Sequence, residues 1–538
     1  MRKTVISAAA LLLCAAAFAQ NLNPTVEVTN SYAREAGGIE KPSQLLSVPD
    51  SLYHFNLDFD YSVKEMPYQG AYEFVPYLVQ PHPTSRLTGE GTLYLRGGLG
   101  YTFHPEFTAV YNPLHSGRFR VGVFADHHSY IGRYHTIVLD ADNRFTPDGT
   151  SWNGKDMRST IGADALYTWR GGFVTGDLRY QNILATHVSM GDFVNNKVQF
   201  KARVGSDSMA AVPYEVSTRF SWLNVGDNRE FHTVTAGFLG TKWKEYNLRI
   251  NGGLETLSAF DNSLVMLSAA PRFLITQERL FLEVGAKLEF MFRSDKSFYP
   301  TSSFLAFFPD VRLRVSLIPD KLVLKASLTG GNKPLVYSDL IDTNPFLPYK
   351  QDYMDNTVEQ INASVSLGGQ IASRFHYGLK GGYILTTHAL LPGYRAGEPY
   401  FGFVKDLRQL YGTVSMGWTS ASVDVDAAAT FRYSKAGDAV AADDTLFRPA
   451  SFEGKFSAFY NWGGRLKAGA TVEASSKRVA PAAVLPGFVD VGLQADFRQS
   501  RNLGLWLRIG NLLCQPIQRN AFYAEKGLCF TVGATWQM

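Results

Sequence analysis

From about residue 91 onward the sequence repeats one pattern, roughly ten residues of apolar and polar alternation followed by a break. A period of two belongs to a β-strand whose two faces meet different surroundings. Val198, Phe200, Ala202 and Val204 alternate with Lys197, Gln199, Lys201 and Arg203. Tyr214, Val216, Thr218, Phe220 and Trp222 alternate with Glu215, Ser217, Arg219 and Ser221. The same pattern runs from Leu280 to Phe292, from Val423 to Tyr433 and from Val489 to Phe497, and no helical period of comparable length follows the first twenty residues.

Strand length selects among all-β folds. Strands of soluble sandwiches run to about 5–6 residues, whereas a tilted membrane-crossing strand needs about 9–11. The runs fall in the second class. Tyr101, Trp169, Tyr214, Trp222, Trp418, Tyr433 and Trp536 lie near their ends, where amphipathic rings favour the headgroup level of a bilayer. The expected fold is therefore an all-β, transmembrane antiparallel β-barrel of about 22 strands, within roughly 18–24. It must close, because an open sheet edge is not tolerated in lipid. Short connections at Pro319-Asp320 and Gly463-Gly464 alternate with longer ones at 140–157, 330–355, 387–405 and 434–450, as turns and loops on opposite sides of a membrane would.

Arg2 and Lys3, an apolar stretch from Val5 to Ala17, and the small-x-small site Ala17-Phe18-Ala19 predict a secretory signal peptide over 1–19. A lipoprotein reading at Cys14 is disfavoured by bulky Leu13 before it. Residues 20–90 are expected to form a periplasmic or lumen-entering extension and 91–538 the barrel. The alternating run 55–63 competes as a first strand. Removing 1–19 leaves 50 basic against 48 acidic residues, a net charge of +2, which gives no case for nucleic-acid binding.

Chemistry-bearing motifs are sparse. There is no phosphate loop, no nucleophile elbow and no zinc helix, so neither catalysis nor a cofactor has positive support. Asp126, His127, His128 and His135 are the densest metal-ligand types, but His127 and His128 are adjacent on a strand and point to opposite faces. Parity aims Arg96, Arg120, Arg179, Lys201, Arg203, Arg219, Arg249, Arg312, Arg314 and Arg374 into the lumen, among carboxylates such as Glu215 and Glu283. Such charges either tune a pore toward anionic solutes or brace the wall as ion pairs. Cys514 and Cys529 share a parity near the C-terminus and are expected as a cross-hairpin disulfide or as two free thiols.

The end of the chain adds a resemblance. Leu485-Pro486-Gly487-Phe488-Val489-Asp490 is followed by Leu505-Trp506-Leu507-Arg508, Gly510-Asn511-Leu512-Leu513, Tyr523, and Gly527-Leu528-Cys529-Phe530-Thr531-Val532-Gly533. This resembles the closing hairpin of TonB-dependent receptors of the bacterial outer membrane, over less than a tenth of the chain. The resemblance implies a barrel of about 22 strands plugged by a preceding domain of about 150 residues. The 20–90 segment is too short to hold such a plug. Thr25-Val26-Glu27-Val28-Thr29 is similar to the box by which such receptors engage TonB by strand addition. The expectation is a non-enzymatic barrel in the outer membrane of a Gram-negative bacterium, contacting its lipid. It acts as a channel or receptor-like transporter or, in the alternative, as a scaffold or assembly subunit of an outer-membrane complex.

Overall fold

The computed structural model describes residues 93–538 except 102, 115–116, 208–209, 211, 244–245, 295–302, 320, 348–354, 372–373 and 440–444. The signal segment, the extension with its Thr25–Thr29 box, and the run 55–63 lie outside the described residues.

The first strands are β1 (Leu93–Tyr101), β2 (Glu106–Leu114), β3 (Phe119–Leu139), β4 (Phe145–Trp169), β5 (Gly172–His187) and β6 (Gly191–Ser206). Next come β7 (Tyr214–Val225), β8 (Asn228–Trp243), β9 (Tyr246–Ala259), β10 (Asn262–Thr276), β11 (Leu280–Arg293), β12 (Leu305–Ile318) and β13 (Leu322–Pro334). A short helix α1 (Tyr337–Thr343) precedes β14 (Asn356–Ile371), β15 (Phe375–Arg395), β16 (Glu398–Thr419), β17 (Val423–Ala436) and β18 (Phe452–Trp462). The chain ends with β19 (Leu466–Ser475), the small hairpin β20 (Arg478–Ala480) and β21 (Ala483–Leu485), then β22 (Phe488–Arg498), β23 (Leu503–Gly510) and β24 (Cys529–Gln537).

Twenty-two of these strands form one antiparallel sheet, β20 and β21 standing apart as a separate pair. β19 pairs with β22, and β24 returns to β1 from Tyr94↔Gln537 to Tyr101↔Phe530, so the sheet closes. The two faces carry an inside-out polarity. Apolar side chains stand exposed on the outside, including Ile161 at 60%, Phe307 at 68% and Tyr433 at 70%. Inward positions hold buried Glu283, Glu289, Arg272 and Asp310. Water would penalise that arrangement, whereas hydrocarbon outside and a polar lumen favour it. Trp169, Tyr214, Trp418 and Trp536 mark one rim, where seven residues or fewer separate consecutive strands; Tyr101, Trp222 and Tyr433 mark the other.

Two of the expected long loops are corrected. Residues 140–157 and 387–405 are largely strand, because β3 with β4 and β15 with β16 continue as paired hairpins of 21, 25, 21 and 22 residues. Above the membrane neither face meets lipid, so the alternation fades while the backbone pairing persists.

Candidate functional site at the loop-filled mouth

The long-loop rim is filled by the protein's own loops. Val336 and α1 follow β13 into the lumen, where Ile341, Phe346 and Leu347 are fully buried. α1 packs with Leu223 of β7 on one wall and with Leu390 and Phe401 of β15 and β16 on another. Polar side chains from the wall fix its position. Glu230 of β8 accepts from the backbone N–H groups of Tyr337 and Ser338 at 2.8 and 2.9 Å. Lys197 of β6 donates to the Ser338 carbonyl and to Asp342, both at 2.9 Å.

A second loop enters between β23 and β24. Arg519, which lies in this loop, holds Glu525 at 2.6 Å and Glu473 of β19 at 3.1 Å. Arg478 donates to the carbonyls of Gln518 and Arg519 at 3.0 and 2.6 Å. The loop's Ala521 and Ala524 join Ile137, Phe145, Phe447, Ala480, Ala483 and Leu485 in a core that ties five loop-end segments together. Where the two loops meet, the rings of Phe346 and Tyr523 are 4.4 Å apart, and Tyr134 of β3 lies 5.7 Å from Tyr523. Burial pushes the Tyr523 hydroxyl well above its ordinary pKa, so it stays a neutral phenol.

Beneath these loops lies a cavity of about 130 Å3. β3 and β4 supply His128, Tyr130, Asp156 and Arg158; the loops supply His104, Asp342, Phe346, Tyr523, Glu525 and Lys526; Arg478 and Phe488 close the far side. Register sets Arg158 opposite His128 and Asp156 opposite Tyr130. His104, in the loop between β1 and β2, has Nε2 at 3.1 Å from Glu106 and Nδ1 at 3.4 Å from the Thr531 hydroxyl. Burial lowers its pKa and outweighs the opposing pull of the Glu106 carboxylate.

Several of the cations expected in the lumen from parity pair with carboxylates of the wall. Arg179 pairs with Asp177 at 2.8 Å, and Arg203 with Glu215 at 2.6 Å. Arg96 lies 4.2 Å from the Trp506 ring centroid and 4.0 Å from Asp496. Across β9 to β12, Arg249 and Arg272 reach Glu283 at 3.5 and 3.6 Å, and Arg272 and Arg312 reach Asp310 at 2.5 and 3.5 Å. Register places Lys201 opposite Asp177 and Arg219, and Arg314 opposite Lys325. Among the described residues Arg120 and Arg219 have no carboxylate within 4.0 Å. Arg374 is corrected: it lies in the short connection before β15, outside the lumen.

None of the parity residues lines the cavity. Arg158 was hidden at the edge of a presumed loop, and Lys526 lies in a segment with no alternation. His127 turns away from His128 and meets Ser159 at 2.8 Å. His128 lies 3.1 Å from Asp126 and 3.9 Å from Glu106, while His135 is exposed. Among the described residues no group of His, Cys, Asp or Glu is arranged to hold a metal ion. Cys514 is exposed and Cys529 buried, and the two are not bonded to each other in the structure.

No family model matches the sequence, and no curated protein matches it. Solved structures do resemble the fold. The barrel is similar to the copper transporter OprC at 13% identity and a TM-score of 0.57, over 83% of this chain and 80% of that one. It is similar to the ferric-catecholate import receptor Fiu of K12 E. coli at 10% identity and 0.60, over 84% and 82%. The FrpB iron transporter of Neisseria meningitidis matches at 9% identity and 0.59, over 83% and 81%. Identities this low speak for the fold alone.

Proposed function

We propose that this chain, whose barrel has the fold of the TonB-dependent outer-membrane receptors, is a receptor-like transporter that admits a solute across the outer membrane of a Gram-negative bacterium. The observation that carries the reading is the mouth. A 22-strand barrel is wide enough to leak, and here the long-loop end is filled by loops that fold inward around a cavity. The long-loop rim faces the exterior and the short-turn rim the periplasm. The segment 1–19 directs export, 20–90 approaches the lumen from the periplasmic side, and 91–538 crosses the membrane. Thr25–Thr29 is the segment available to a TonB-like partner, since an extended, strand-forming sequence can pair by β-addition. Catalysis has no part in this reading.

Planar-bilayer conductance of the purified barrel tests it. The full chain should stay closed or nearly so, while deletion of 335–355 should open steps well above background. Deletion of 20–90 should raise conductance further if the extension obstructs the lower lumen. Silence in all three forms, with folding confirmed by heat-modifiable mobility, would rule out a pore.

A further inference from the structure

We propose that the cavity beneath the inward-folded loops binds a small organic anion with one aromatic or apolar ring, its carboxylate held between Arg158 and Lys526. This rests on the transport reading for its purpose but not for its chemistry. Most charges around the cavity are committed to one another or to backbone. Arg519 is held by Glu473 and Glu525, Arg478 donates to backbone carbonyls, and Asp342 is held by Lys197. Arg158 and Lys526 differ, because among the described residues neither has a carboxylate within 4.0 Å.

The one other uncommitted charge on the lining is Asp156, which has no cation within 4.0 Å among the described residues. Two cations against one carboxylate leave a positive balance. The Lys526 ammonium lies 3.4 Å from His104 Nε2 and 5.8 Å from the Tyr130 ring centroid, so neither neighbour neutralises it. A carboxylate would answer both cations at once, since guanidinium and ammonium each form charge-assisted hydrogen bonds to it.

The rest of the lining defines the body of the ligand. Tyr130, Phe346, Phe488 and Tyr523 bring rings to the cavity from four separate elements. An aromatic or apolar ring would stack among them at offset or edge geometry. The free space of about 130 Å3 is enough to admit one ring carrying one carboxylate.

Isothermal titration of the purified full-length protein with benzoate tests the proposal, with benzylamine and benzyl alcohol as cationic and neutral probes of the same shape. Benzoate should bind saturably and in preference to both. Arg158→Gln and Lys526→Gln should each weaken it about tenfold, the scale of a lost charge-assisted hydrogen bond, and together should remove it. Arg219→Gln, an uncommitted lumen cation outside the cavity lining, should leave affinity unchanged and control for bulk lumen charge. No saturable binding by wild-type protein up to about 10 mM, a preference for benzylamine, or benzoate binding indifferent to both cavity substitutions would overturn the proposal. Because titration needs no flux, absent binding in a barrel that conducts after loop deletion defeats only the ligand assignment. Binding in a barrel that never conducts defeats only transport.

Discussion

At the scale of residues, the lumen wall depends on charges that are costly when unmatched. Arg272 is the centre of the β9–β12 ladder, buried between Glu283 and Asp310. Arg272→Ala would leave buried Glu283 and Asp310 only their longer contacts to Arg249 and Arg312, both at 3.5 Å, so the loss should approach but not exceed the roughly 3–5 kcal/mol of a buried pair broken from one side. Urea unfolding of the refolded barrel in lipid vesicles should show that loss, with Arg272→Lys falling between the variant and wild type. His104 gives a pH dependence of defined sign. Its folded pKa is lowered, chiefly by burial, so the stability contributed by the neutral ring is present above the unfolded value of about 6.5. That contribution is lost as pH falls through the lowered folded value. Protonation also sets a second cation 3.4 Å from Lys526. Hydrogen exchange of residues 511–528, corrected for intrinsic rates, should therefore speed up on acidification from pH 7.5 to 5, and His104→Asn should flatten the effect.

At the scale of elements, α1 shows how a weak local signal becomes a fixed structure. Seven residues cannot sustain a helix alone. Burial of Tyr337 and Ile341, the Glu230 carboxylate on two N–H groups, and the Lys197 bridge supply what propensity does not. Glu230→Gln keeps the shape but leaves one carbonyl oxygen where two carboxyl oxygens each accept a backbone N–H, and Lys197→Met removes a cation with two partners. Each should release amide protection across 336–344 while leaving the β14–β15 hairpin protected, with losses of about 0.5–1.5 kcal/mol for Glu230→Gln and about 1.5–3 kcal/mol for Lys197→Met, whose ammonium is charged. Equal deprotection of helix and hairpin would show that the contacts hold the barrel rather than the helix.

At the scale of the whole molecule, the barrel was legible and its filling was not. Alternation in β6, β7, β11, β17 and β22 defines two faces, and the run lengths require a membrane. Closure of β24 on β1 then follows from the cost of an unpaired edge in lipid. Parity set Arg203 and Arg249 among carboxylates such as Glu215 and Glu283 without saying which meets which; the pairs themselves come from the register of neighbouring strands. Arg272 escaped because its inward neighbours Ala270 and Leu274 are apolar, which blunts the contrast between faces. Arg158 escaped because β4 continues above the membrane, where alternation no longer marks strands. Lys526, Phe346 and Tyr523 carry no periodic signal, since they belong to loops whose neighbours are remote in sequence. The conductance expected on deleting 335–355 belongs at this scale, for it asks whether the filling, rather than the wall, sets permeability.

The sequence by itself determined the wall: strands of membrane-crossing length, an apolar exterior with aromatic rims, a charged interior and a closed sheet. Each is a local consequence of a two-residue period acting against lipid on one side and water on the other. Only the tertiary structure decided what occupies the lumen. The cavity draws residues from the β1–β2, β13–β14 and β23–β24 connections onto β3 and β4, pairing some charges and leaving Arg158 and Lys526 with no carboxylate within 4.0 Å among the described residues. Which loop charges find partners depends on contacts between segments up to about 400 residues apart, as with Lys526 and His104. No period along the chain encodes such meetings; they follow from how the loops pack once the barrel has closed.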